Sequence, residues 1–95
     1  LDDRLPKKTP VIGVWGPKSV RAYPLREFAD AKQHVTLAQE LDGLKFTLIY
    51  DPQWKSLRIT DPDDGLQWLY SYWFAWASLR EGTEFFVLDD QSSPQ

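Results

Sequence analysis

His34 is the only imidazole among 95 residues, there is no cysteine, and fourteen carboxylates are spread along the chain. Those residue types bound the chemistry. A single histidine excludes a two-histidine zinc site or a histidine shuttle pair within the chain. The lack of cysteine removes disulfides, thiolate zinc, iron–sulfur ligation and thiol nucleophiles. His34 opens a β-prone run, where the ordinary role is a hydrogen-bonded structural residue, and acting alone as base or ligand is the alternative. The acids Glu27, Asp30, Glu40, Asp42 and Asp51 could supply an acid–base pair, but their spacing marks no two as partners. The weak metal or hydrolytic alternative is a convergence of His34, Asp42 and Asp51. Asp61-Pro62-Asp63-Asp64-Gly65 resembles part of a calcium loop. There, glycine should stand sixth and glutamate twelfth; here Gly65 is fifth and Tyr72 twelfth, so a solvated turn is expected. Five glycines sit singly at turns, without a phosphate-cradling motif. No cofactor is expected.

The aromatic residues are the anomaly. Five tryptophans, five phenylalanines and four tyrosines are present, and Trp68, Tyr70, Tyr72, Trp73, Phe74 and Trp76 crowd one short stretch. Large rings are an economical way to bury area in a short chain. Rings that instead face outward mark a binding surface. For such a surface the candidates are Trp54, Trp68, Tyr70 and Tyr72. Trp54 leads, because it lies in a loop-like segment beside Asp51, Pro52 and Lys55.

The elements that must position these residues read as follows. Pro10–Trp15 and Val20–Tyr23 form a hairpin about Gly16-Pro17-Lys18-Ser19. Residues 25–32 show the spacing of a short amphipathic helix. His34–Leu41 and Leu44–Tyr50 pair about Asp42-Gly43, a strong hairpin dipeptide, and Ser56–Thr60 is the next strand. Leu66 to Glu81 is ambiguous between periods of two and 3.6. The reading adopted is a strand over 66–70, Ser71 as N-cap, a helix over 72–81 and Gly82 as its stop. Residues 83–88 form a last β-prone run. The fold class is α+β: a mostly antiparallel β-sheet or small barrel with one or two short helices. Residues 10–88 make one small β-rich domain. Residues 1–9 read as a linker or arm, and 89–95 as a flexible tail.

Eleven basic against fourteen acidic side chains leave a net charge of −3, so no broad basic field exists for nucleic acid. No window approaches the ~20 apolar residues of a membrane span, and no membrane insertion is expected. A chain without methionine is expected to be an excised domain or processed product.

Val11-Ile12-Gly13-Val14, then Val20-Arg21-Ala22-Tyr23-Pro24-Leu25, is similar to the opening of the bacterial and archaeal family called domain of unknown function 3179. His34-Val35 ahead of Asp42-Gly43 fits it, and Tyr72-Trp73-Phe74-Ala75-Trp76-Ala77 with Thr83-Glu84 resembles its closing segment. The likeness spans most of 11–86. Members usually carry Tyr-Cys-Pro-Leu-Cys-Gly-Ser after the central strand. Here Tyr50-Asp51-Pro52-Gln53-Trp54-Lys55-Ser56 stands instead, keeping Tyr50, Pro52 and Ser56 and losing both cysteines. The resemblance implies a degenerate, cysteine-free relative in an extracytoplasmic, secreted or membrane-associated bacterial protein, and carries no established activity. The functional expectation is a non-catalytic module of a larger protein. Its structural or recognition role would use an aromatic surface, toward other domains of the parent chain or a protein or saccharide ligand.

Overall fold

A computed structural model describes residues 4–88. Strands β1 (Pro10–Trp15) and β2 (Val20–Pro24) pair antiparallel about the Gly16–Ser19 turn. A single 3₁₀ turn over Leu25–Phe28 follows. Then come β3 (Val35–Leu41), β4 (Leu44–Asp51), β5 (Ser56–Thr60) and β6 (Gln67–Tyr72), a seven-residue helix α1 (Trp73–Leu79), and β7 (Glu84–Phe85). One sheet has the order β6-β1-β2-β7 and the other β3-β4-β5. All pairings are antiparallel except β2 with β7. The sheets remain separate, so of the two forms expected from the sequence the open-sheet one is adopted, not the closed barrel.

Strand parity decides which rings meet. In β4 the alternate residues Phe46, Leu48 and Tyr50 are buried. They pack with Ile12, Val14, Tyr23, Phe28, Leu41, Leu57 and Leu66 to fill the space between the sheets. Phe28 stacks on Tyr50 and Phe86 at centroid distances of 5.4 and 5.9 Å, within the favourable range for aromatic pairs. The opposite parity of β1 faces a second core. Val11 and Ala22 pack there with Leu5, Trp73 and Trp76. A strand covered on both faces reads as a continuous apolar run, which explains Val11–Val14. Gly13 is where Trp76 crosses β1: a Cβ at that position would overlap the indole.

The hairpin tips are tied together. Asp42 and Gly43 both adopt positive φ, 54° and 79°, as a two-residue hairpin turn of the mirror-image type requires. That turn delivers the Asp42 carboxylate to the β1–β2 turn, where Oδ2 accepts the backbone N–H groups of Lys18 and Ser19, each at 2.8 Å. Gly16 permits the approach, since a Cβ there would stand 2.7 Å from Asp42 Oδ2.

Several expectations are corrected. The stretch 25–32 supplies only the 3₁₀ turn, with Phe28 its one buried residue. β6 continues through Tyr72, so Ser71 is a strand residue whose hydroxyl donates to Tyr72 O, and α1 starts at Trp73 with no side-chain cap. The first helical amides are satisfied from elsewhere: Trp73 N–H donates to Thr9 O and Phe74 N–H to Lys7 O, at 2.8 and 2.9 Å. Residues 4–9 are therefore not a loose arm. Leu5 and Thr9 are buried, and the Arg4 guanidinium lies 4.2 Å from the Phe85 ring centroid. The expected tail, 89–95, lies outside the described residues, as do residues 1–3 of the expected arm.

Candidate functional site

Cross-strand partners in an antiparallel pair share a face. Tyr72, Tyr70 and Trp68 of β6 stand opposite Pro10, Ile12 and Val14 of β1, and so project to the side of the inter-sheet core. Their cover differs. Trp68 is half-buried against that core, whereas Tyr70 is 61% exposed and Tyr72 52%. The facing sheet shields one end of the β6 inner face and leaves the other open.

A cleft of about 210 Å³ opens at this point, lined by Pro10, Val11, Ile12, Tyr23, Leu25, Lys55, Ser56, Leu57 and Tyr70. An adjoining hollow of about 220 Å³ shares Pro10, Leu25 and Lys55 with it and adds Arg26, Ala29 and Tyr50. Backbone hydrogen bonding sets these positions. β1 offers Ile12 from its centre, and β5 brings Leu57 opposite Tyr50 of β4. The β4–β5 turn lifts Lys55, at φ 50°, onto the lip. Burial pushes the Tyr70 phenol above its ordinary pKa, with the positive charge of Arg58 pulling it back. Deeper in the wall, Tyr23 O–H donates to Gln39 Oε1 at 2.8 Å and accepts from Arg21 at 3.0 Å. Its hydroxyl is thus engaged, and burial raises its pKa. Among the described residues no carboxylate lines either hollow, while Lys55 and Arg26 do.

Of the residues singled out from sequence, Tyr70 lines the cleft. Trp54, 73% exposed, stands in the β4–β5 turn next to Lys55 but does not line the cleft. Trp68 is part of the core wall rather than of an exposed surface, because its inner-face position meets Val14. Tyr72 is exposed at the end of β6. The alternative trio does not converge. His34 Nε2 lies 3.5 Å from Asp51 Oδ2, and Asp51 Oδ1 also accepts the Gln53 N–H. Asp42 is at the far end of the same hairpin, since β3 runs from Val35 to Leu41 between them, and its carboxylate is committed to the β1–β2 turn. No group of three or more metal-ligating side chains forms among the described residues. In the acidic turn, Asp63 Oδ2 accepts the Lys45 N–H at 2.8 Å, fastening the turn to β4.

Sequence reasoning missed Ile12, Leu25, Lys55 and Leu57. They come from separate elements, and each looks like an ordinary core or turn residue until β1 and β5 are juxtaposed. The outer face holds a second missed feature. Arg80 lies over Trp15 at 4.7 Å and Trp76 at 5.9 Å, and Arg4 over Phe85 and Trp73 at 4.2 and 5.4 Å. These cation–π contacts close the second core.

No helix among the described residues is long and apolar enough to cross a membrane. No protein family, curated protein or solved structure matches the chain.

Proposed function

We propose that the chain is a non-catalytic recognition module of a larger protein, and that the cleft between β1, β5 and Tyr70 receives one apolar ring or side chain bearing an anionic group. The observation that carries this reading is the apolar floor lined by cations and, among the described residues, by no carboxylate. Size narrows the ligand. Pockets for drug-sized molecules run to roughly 300–1,000 Å³, whereas a cavity of about 150 Å³ holds benzene. At about 210 Å³ the cleft suits a single ring or aliphatic side chain, such as one anchor residue of a protein partner. The resemblance of the Arg21–Leu25 and Trp73–Ala77 segments supports a larger bacterial, extracytoplasmic parent.

The test is a nuclear magnetic resonance titration with 4-methylbenzoate and, separately, 4-methylbenzyl alcohol. Methyl signals of Ile12, Leu25 and Leu57 are expected to shift, and the carboxylate to bind the more tightly. Leu57→Trp, which fills the cleft, should abolish the shifts, and Tyr70→Ala should weaken binding by about tenfold, or ~1.4 kcal/mol. Methyl signals that stay fixed at saturating probe would refute the reading.

A second reading, a residual metal or hydrolytic site, has the His34–Asp51 pair behind it. Calorimetry with copper, zinc and calcium tests it, and heats no larger than those of dilution would end it.

A further inference from the structure

β6 is the outermost strand of its sheet, hydrogen-bonded on one side to β1 and, among the described residues, to no strand on the other. An open edge presents unpaired N–H and C=O groups, and natural proteins usually blunt such edges with charge, proline or shortness. The other outer strands follow that rule: β3 carries Glu40, β5 carries Arg58, and β7 is two residues long. β6, Gln67-Trp68-Leu69-Tyr70-Ser71-Tyr72, has six residues and neither charge nor proline. It also holds three of the exposed large hydrophobic residues, Leu69, Tyr70 and Tyr72.

The two ends of β6 are oppositely charged. Asp63 and Asp64 precede it. Lys7 and Lys8 flank its far end, where Lys7 O accepts the Phe74 N–H and Thr9 O the Trp73 N–H. All four side chains belong to exposed residues. Antiparallel pairing of two copies of this strand therefore sets the acidic end of each against the basic end of the other. A twofold axis at Tyr70 places Tyr70 against its counterpart and Trp68 of one copy opposite Tyr72 of the other, all on one face. Such cross-strand aromatic pairs are favourable, and a twofold contact of one patch with itself closes without building a fibre.

We infer that β6 is a homodimerisation edge, joining two copies of this chain into one continuous sheet through antiparallel β6–β6 pairing, with Asp64 of each copy facing Lys7 and Lys8 of the other. The contact is small, so the dimer belongs to the weak, reversible class. It rests on the strand edge and its charges, not on the occupant of the cleft.

Sedimentation velocity of the full chain from micromolar to millimolar concentration, with amide hydrogen exchange at both extremes, tests this. Dimer formation with concentration-dependent protection of β6 amides is expected, and Leu69→Lys should weaken it. Lys7→Glu with Lys8→Glu in one variant, and Asp64→Lys in another, should each weaken self-association by roughly tenfold through like-charge contact. Mixed in equal amounts, the two variants should regain dimers, because both ends of the mixed pair are again complementary. Three results would overturn the inference: a wild-type chain that stays monomeric at millimolar concentration, a dimer that protects amides elsewhere, or folded charge variants that fail to associate when mixed.

Discussion

Replacing Gly13 with alanine tests the packing of α1 on β1 most directly. The added methyl would sit well inside contact distance of three carbons of the Trp76 ring, where carbon pairs prefer roughly 3.5–4.0 Å. Trp76 cannot step aside cheaply. It is 0% exposed, its Nε1–H donates to Thr83 Oγ1 at 3.1 Å, and Trp15 packs at a centroid distance of 5.8 Å. Overpacking a well-filled core costs roughly 1–3 kcal/mol and sometimes more. A ring held on three sides places Gly13→Ala at the top of that range, about 3 kcal/mol. For a domain of this size each kcal/mol moves Tm by about 4–8 °C, so a fall of roughly 12–24 °C is expected in a thermal melt. Trp76→Leu supplies the control. It removes the obstacle, so its cost should be lower by about 1–3 kcal/mol in the Gly13→Ala background than in the wild-type background, a coupling that a double-mutant cycle reads. A Gly13→Ala loss under about 1 kcal/mol, or a Trp76→Leu cost equal in both backgrounds, would show that the indole does not press on β1.

The Asp42 clamp has a pH signature. Its carboxylate is held below its ordinary pKa, chiefly by the Lys18 N–H, with Ser19 also contributing. A depressed folded-state pKa stabilises the fold above the unfolded value and is lost as pH falls through the folded one. Asp42→Asn should thus destabilise the chain at neutral pH, and the gap to wild type should begin to narrow as pH falls through about 3.8 and close below the lower folded-state pKa; a gap unchanged by acid in urea titrations would be contrary. Thr83→Val keeps the shape of the side chain but leaves the buried Trp76 N–H without its acceptor, a loss of about 1–3 kcal/mol by urea unfolding; a neutral substitution would mean the indole has found another partner. With a soluble paramagnetic agent, the indole signal of Trp54 should bleach while those of Trp73 and Trp76 persist, as their exposures of 73%, 0% and 0% require; equal bleaching of Trp76 and Trp54 would contradict the packing.

Local chemistry made much of the fold legible. Asp42-Gly43 forces its turn through positive φ, and the alternation Phe46-Leu48-Tyr50 can bury only one face, so the β3–β4 hairpin is readable without neighbours. Ser56–Thr60 is bounded by turns and lies where expected. The β6–α1 junction was not legible, because its deciding contacts are remote. The amides of Trp73 and Phe74 take carbonyls from residues 9 and 7, so no local cap marks the start of the helix. Residues 4–9 looked like a polar arm for the same reason: Leu5 is a single apolar residue whose pocket is made by Trp73 and its neighbours. In the candidate site, Tyr70 carried a sequence signal as one ring in an aromatic run. Leu57 and Lys55 carried none, since a cleft between sheets exists only once both sheets do.

The aromatic excess resolves into a division of labour. Tyr23, Phe28, Phe46, Tyr50 and Phe86 join the sheets, and Trp15, Trp73, Trp76 and Phe85 fasten α1 and the N-terminal segment to the outer face. Stability alone accounts for those nine rings. Trp68 completes the inner wall, but Tyr70 and Tyr72, two and four residues further along the same face, remain mostly exposed. Stability gives little reason for large rings at these uncovered positions, where a polar residue would keep the strand and better protect its edge. Tyr70 borders the cleft, both rings belong to the open-edged strand β6, and both proposed interactions draw on this one strand. Its inner face offers a ring to a ligand, and its backbone offers hydrogen bonds to a second copy. The two uses are separable by substitution: Tyr70→Ala with the end charges intact should lower probe binding more than self-association, whereas reversing Lys7 and Lys8 should do the opposite.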